Sequence, residues 1–178
     1  LNAIAPGTAR GFAGAGLELV DGSISGPPPR KPGTTRVYLS GPRAAEIAAL
    51  PFDGVERIVV GGEVGAASAV KMSTASVYKG TTVLLAQALR AAHANGVLEH
   101  VLADLQTAAP NLVARVERRL AVAATKAHRY APEMREIAAT QDAAGLTPAV
   151  FDGIAEVYAR LADTPLARGN PEDVAERL

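Results

Sequence analysis

Cysteine and tryptophan are absent from these 178 residues, and the remaining aromatics, three Phe and four Tyr, make up 4% of the chain. Without a thiol, disulfides, cysteine nucleophiles and Cys-ligated zinc are excluded together, which fits a reducing compartment. So few rings argue against a surface that stacks on bases. Lys plus Arg and Asp plus Glu are each 18, so the net charge is zero. No strong field therefore draws the protein to nucleic acid or to an anionic membrane. A run of about 18 apolar residues is also missing, as is the basic segment, apolar core and small-residue cleavage site of a secretory signal. The histidines, His93, His100 and His128, are scattered, and none has a second ligand at metal-binding spacing. The expectation is a cytoplasmic protein with no metal, no nucleic acid and no membrane partner.

What is present is 48% hydrophobic and 20% charged, enough for one well-packed domain or for a small lobe plus a helical domain. Leu1 to Pro6 reads as the end of a strand, Thr8 to Ala15 as a short helix closed by Gly16, and Leu17-Glu-Leu-Val20 as a strand stopping at Asp21-Gly22. Ser23 to Gly33 follows as a loop fixed by three consecutive prolines and carrying Arg30 and Lys31. Arg36 to Ser40 is a strand, Arg43 to Leu50 a short helix and Val55 to Val60 a third strand. After Gly62 the pattern becomes helical throughout: Gly65 to Ala94 closed by Asn95-Gly96, Val97 to Ala108, Asn111 to Lys126, Ala131 to Ala144 closed by Gly145, Pro148 to Ala162, and Glu172 to Leu178. The chain thus divides into 1–62, a partial α/β lobe, and 63–178, an all-helical domain. Because it opens on Leu1 in the middle of an apolar-to-loop transition, further N-terminal sequence is expected.

The stretch from Gly65 to Leu89 organises the rest. At about 100° per residue, Lys71, Thr74, Tyr78 and Thr82 fall within one narrow helical stripe, which Leu85 and Leu89 continue as an apolar surface expected to meet a second subunit. Half-buried among small residues, Lys71 could take and return the proton of an oxidisable alcohol. A solvated lysine would do neither, and spacing alone leaves both readings open. Ser23 and Ser25 with Gly26 form a turn able to hold a carboxylate or phosphate, or a simple turn and nothing more. Arg30, Lys31 and Arg36 could add charge pairing or could simply be solvated. Gly61-Gly62-Glu-Val-Gly65 lacks the spacing of a phosphate-binding loop and reads as a hinge from sheet to helix.

Asp21-Gly-Ser-Ile-Ser-Gly26, followed by Gly65-Ala-Ala-Ser-Ala-Val-Lys71, resembles the β-hydroxyacid dehydrogenase superfamily, which includes 3-hydroxyisobutyrate and 6-phosphogluconate dehydrogenases. The run from Lys71 to Leu89, with that from His128 to Leu146, is most similar to a branch of phosphogluconate-dehydrogenase-like oxidoreductases with a helical C-terminal domain of unassigned substrate. The resemblance implies an α/β fragment, the second half of a Rossmann-like domain, followed by an all-α domain of the 6-phosphogluconate dehydrogenase C-terminal type. It implies hydride transfer between NADP or NAD and a small anionic hydroxyacid, in a homodimer formed through the helical domain, with Lys71 as general acid/base. Ser25 and Gly26, with Ser23, would clamp the substrate anion, and Asn2 would lie near the nicotinamide.

Three departures qualify what is implied. Pro27 stands where the family has a second glycine, removing one backbone N–H donor. Thr74 and Ala75 replace an expected asparagine, so substrate hydroxyls would be met by Thr74, Tyr78 or Lys79. The glycine fingerprint of the dinucleotide site is absent, so the cofactor would be bound mainly by residues outside this chain. Two alternatives to the dehydrogenase are a cofactor-free helical dimerisation module and reduction of an imine on the same scaffold.

Overall fold

The structure, a computed structural model, describes residues 18–171. The expected strand end at Leu1 to Pro6, the expected helices at Thr8 to Ala15 and from Glu172, Leu17, and Asn2, expected near the nicotinamide, lie outside the described residues. The chain forms two compact units, the first reaching to Thr74 and the second starting at Ala75. The change from mixed to helical structure comes earlier, between Gly62 and Gly65, so the first turns of the long helix belong with the sheet.

The first unit is a three-stranded sheet in the order β1-β2-β3. β1 (Asp21–Ser25) runs antiparallel to β2 (Thr35–Ser40), with Asp21 opposite Ser40 and Ser25 opposite Arg36. β2 is parallel to β3 (Val55–Val59), and the crossover a parallel pair needs is supplied by α1 (Ala44–Ala48). The strand expected at Leu17 to Val20 is therefore displaced: β1 begins at Asp21 and takes in Ser23 to Ser25, which the sequence assigned to a loop. Its alternation is inverted. Asp21 and Ser23 are buried while Gly22 and Ile24 face outward, so the inward side of the strand is held by hydrogen bonds rather than by apolar packing. At the strand's end Gly26 is required twice over. Its φ is +104°, and a Cβ would stand 2.3 Å from the Thr34 carbonyl oxygen.

α2 (Ala66–Ala94) starts in the first unit and continues into the second. It closes in a Schellman arrangement, with Gly96 N–H on His93 O and Val97 N–H on Ala92 O, as Gly96 at φ +70° allows. α3 (Leu98–Ala108), α4 (Pro110–Val113), α5 (Val116–Thr125), α6 (Ala127–Ala143), α7 (Ala149–Ala162) and a short 3-10 turn (Pro165–Arg168) follow. α6 and α7 pack along each other around fully buried Met134, Ile137 and Tyr158.

Two sequence expectations are corrected here. The helix expected from Asn111 to Lys126 is broken at Ala114 and Arg115, where Arg115 adopts the left-handed conformation at φ +55°. The Arg119 guanidinium donates to the Leu112 carbonyl at 2.7 Å and so occupies an acceptor at the break. Leu85 and Leu89, read as a surface for a second subunit, are instead covered within the unit. Leu85 is 6% exposed and packs with Val113 and Val116, and Leu89, Leu102, Leu105 and Leu120 close over that cluster. The apolar stripe of α2 thus finds its partner in its own chain.

Candidate functional site

In the first unit the start of α2 is built from side chains of the sheet. An α-helix leaves its first four N–H groups without intrahelical acceptors. Here Ala66 N–H reaches Glu63 O, Ala67 N–H reaches Ser40 Oγ at 3.0 Å and Ser68 N–H reaches Asp21 Oδ2 at 2.8 Å, while Ala69 N–H on Gly65 O makes the first bond of the helix itself. The Asp21 carboxylate, 2% exposed, also accepts from Ser68 Oγ at 2.7 Å and from Ser40 Oγ at 3.4 Å. Ser23 Oγ donates to Ala67 O at 2.6 Å. A carboxylate at a helix N-terminus is favoured by the helix dipole as well as by these bonds. Together they fix the first turn of α2 on β1.

Lys71 stands one turn beyond Ala67 on the same side of the helix, and it is half-buried. Ser25, also half-buried, stands two residues beyond Ser23 on the same side of the strand. Gly26 follows it into a loop whose neck is closed by Thr35 Oγ1 donating to Pro27 O at 2.5 Å. Ser23 is different from Ser25: it is buried, and its hydroxyl proton is committed to α2. Thr74 is exposed and donates back to its own helix, at Val70 O and Lys71 O. Arg30 and Lys31 are exposed in the proline loop, and Arg36 pairs with Glu56 across the sheet at 3.3 Å.

NADP or NAD does not fit the described residues of this unit. Dinucleotides rest their phosphates on free helix N–H groups behind a glycine turn. The N–H groups of Ala66, Ala67 and Ser68 are engaged within the chain, and Gly61 to Gly65 before them lacks the spacing of a phosphate-binding turn. Among the described residues no three His, Asp or Glu side chains are grouped as metal ligands, and no helix is long and apolar enough to cross a membrane.

The second unit holds a cavity of about 420 Å³. Tyr78, Lys79 and Thr82 of α2 form one side. Arg115, Arg118, Arg119 and Val122 come from the helix break and α5, and Tyr130 and Tyr158 from α6 and α7. Lys79 makes an ion pair with Glu133, and its ammonium lies 4.2 Å from the centre of the Tyr130 ring. Tyr158 donates to Lys79 O at 3.0 Å and meets Tyr130 edge-on, with ring centres 5.3 Å apart. Burial raises the phenol pKa of both, helped by the Glu133 carboxylate. Tyr78 is 72% exposed at the rim, while Thr82 donates to Tyr78 O and accepts from Arg119.

Sequence reasoning reached Tyr78 and Lys79 but missed Arg115, Arg118, Arg119, Tyr130, Tyr158 and Glu133. The arginines read as the polar side of a helix, and no local pattern links them to tyrosines on α6 and α7.

The domain family DUF1932, described as a domain of unknown function, matches residues 92–161, within the second unit. Two solved structures are similar. One is the conserved protein MTH1747, of unknown function, whose structure is described as revealing similarity with 3-hydroxyacid dehydrogenases; it is 30% identical with a TM-score of 0.74, over 98% of this chain and 66% of that one. The other is a conserved hypothetical protein from Sinorhizobium meliloti 1021, 29% identical with a TM-score of 0.76, over 100% of this chain and 65% of that one. The chain therefore spans about two thirds of the length of these relatives. No curated protein matches it.

Proposed function

We propose that this chain, a DUF1932-bearing relative of proteins with the 3-hydroxyacid dehydrogenase fold, is the substrate-side part of an oxidoreductase that interconverts a small anionic hydroxyacid and its carbonyl product. NADP or NAD would supply the hydride chemistry, held by residues other than those described. The observation that carries the reading is the clamp at the start of α2. Asp21, Ser23 and Ser40 fix the helix turn that precedes Lys71, and the strand that bears Asp21 and Ser23 leads directly into Ser25 and Gly26. A general base must be held in place to be effective, and this network provides that rigidity. In the reaction Lys71 takes the substrate hydroxyl proton on oxidation and returns it on reduction. Ser25 and the Gly26 backbone hold the carboxylate, while Ser23 acts as a positioning residue through Ala67. Thr74 is assigned to a further substrate contact, while Tyr78 and Lys79, expected to share that role, belong to the second unit and line its cavity. Homodimer formation is assigned to the exposed side of α2 that carries Val77 and Leu84, 64% and 70% exposed.

The test is made in the complete protein. Lys71→Met should lower turnover by about 100- to 10,000-fold, with NADH and NADPH binding unchanged. Retained oxidation of hydroxyacids would refute the assignment, and retained turnover of imines alone would support the imine reductase. Failure of the complete protein to bind either cofactor would support the cofactor-free helical module.

A further inference from the structure

The cavity of the second unit carries more charge than the reaction above requires. None of the residues lining it is acidic, and it presents three arginines and Lys79. Lys79 is paired with Glu133, and Arg119 is tied to Leu112 O and Thr82. Arg115 and Arg118, by contrast, make no ion pair among the described residues, and both are exposed at the cavity. Arg115 also occupies the left-handed backbone region, unusual for any residue but glycine, at the break that opens α5. Behind the arginines the walls are rings and small apolar groups: Tyr130, Tyr158, Val122 and Ala123. At about 420 Å³ the space falls within the range of small-molecule sites.

We propose that the second unit binds a small organic anion in this cavity, a carboxylate or phosphate ester on an apolar body, with Arg115 and Arg118 pairing the anion and the half-buried Tyr130 and Val122 receiving the body. Guanidinium groups suit either head group, because both present oxygens at the spacing of the planar fork. An apolar body suits the Tyr130 ring and the Val122 side chain that these cationic groups border. The inference concerns binding alone and holds whether or not the chain takes part in hydride transfer.

The tyrosines report on the site directly. Three of the four in the chain line it, and no tryptophan masks their emission. The protein carrying both units is titrated with cyclohexanecarboxylate, cyclohexyl phosphate, cyclohexylmethanol and inorganic phosphate, by tyrosine emission and by calorimetry. Saturable binding of one or both organic anions is expected, with the alcohol and inorganic phosphate at least about tenfold weaker, and the better anion identifies the head group. Arg115→Gly suits the left-handed backbone and should fold normally, yet weaken the organic anions about tenfold, as should Arg118→Gln. The proposal is overturned if the alcohol or inorganic phosphate binds as tightly as the organic anions. It is equally overturned by unchanged affinity in both variants, or by saturable binding of no probe in either assay.

Discussion

Replacing Asp21 by alanine tests the clamp at the start of α2. The substitution removes the acceptor of Ser68 N–H at 2.8 Å and of Ser68 Oγ at 2.7 Å, both buried. Ser40 loses a longer bond of 3.4 Å but keeps the Ala67 N–H, so its share is small. Two charge-assisted hydrogen bonds to buried donors contribute about 1.5–3 kcal/mol each, and the Ser68 hydroxyl can recover roughly 1 kcal/mol by turning to a carbonyl of its own helix. The expected net loss is therefore about 2–5 kcal/mol, a large fraction of the roughly 5–15 kcal/mol by which a domain is stable. Asp21→Asn keeps one acceptor and loses mainly charge, at about 1–2 kcal/mol. Urea unfolding followed by circular dichroism, with hydrogen exchange at the Ser68 amide to localise the effect, measures both. A loss below about 1 kcal/mol for Asp21→Ala, or an unchanged Ser68 amide, would refute the claim that the clamp holds the helix.

Gly80 is buried in α2, where a Cβ would meet Ile154 Cδ1 at 3.5 Å and Phe151 Cε1 at 3.9 Å, ordinary contact distances. Gly80→Ala should therefore stabilise the second unit by about 0.5–1 kcal/mol through helix propensity, read as a higher melting temperature. Tyr130 and Tyr158 have folded-state pKa values raised above the ordinary 10.0, mainly by burial. Their contribution to stability is complete below that value. It falls as pH rises past it, because the unfolded chain releases the phenol protons first, and it is gone once the folded phenols ionise. Phenolate absorbance should show these two groups ionising late in the native protein and at the ordinary value in urea.

Sequence signals recovered the elements whose causes are local. The glycine closures at Gly96 and Gly145, the strand from Thr35 to Ser40 and the span of α2 follow from residues adjacent to them. β1 was not legible, because its buried side is Asp21 and Ser23 while Ile24 lies half-exposed, the reverse of the usual pattern. The break at Arg115 was hidden for a similar reason. Neither glycine nor proline marks it, and one of its supports is an arginine seven residues from the carbonyl it meets. Within the candidate site, the helical stripe of Lys71, Thr74, Tyr78 and Thr82 was readable as a stripe. The chain's own use of the Thr74 and Thr82 hydroxyls was not.

Helices usually carry the signal for their own beginning within a residue or two of it. The start of α2 is specified instead by Asp21, 47 positions away from Ser68 along the chain. The first turn consequently has to wait for β1 to arrive, and closing so long a loop is a slow, non-local event compared with propagation along the helix. Formation of α2 should therefore run from its middle outward, with the turn before Lys71 among the last segments to set. Once set, its amides should exchange with solvent as slowly as a helix interior, although in an ordinary helix they are the first to fray.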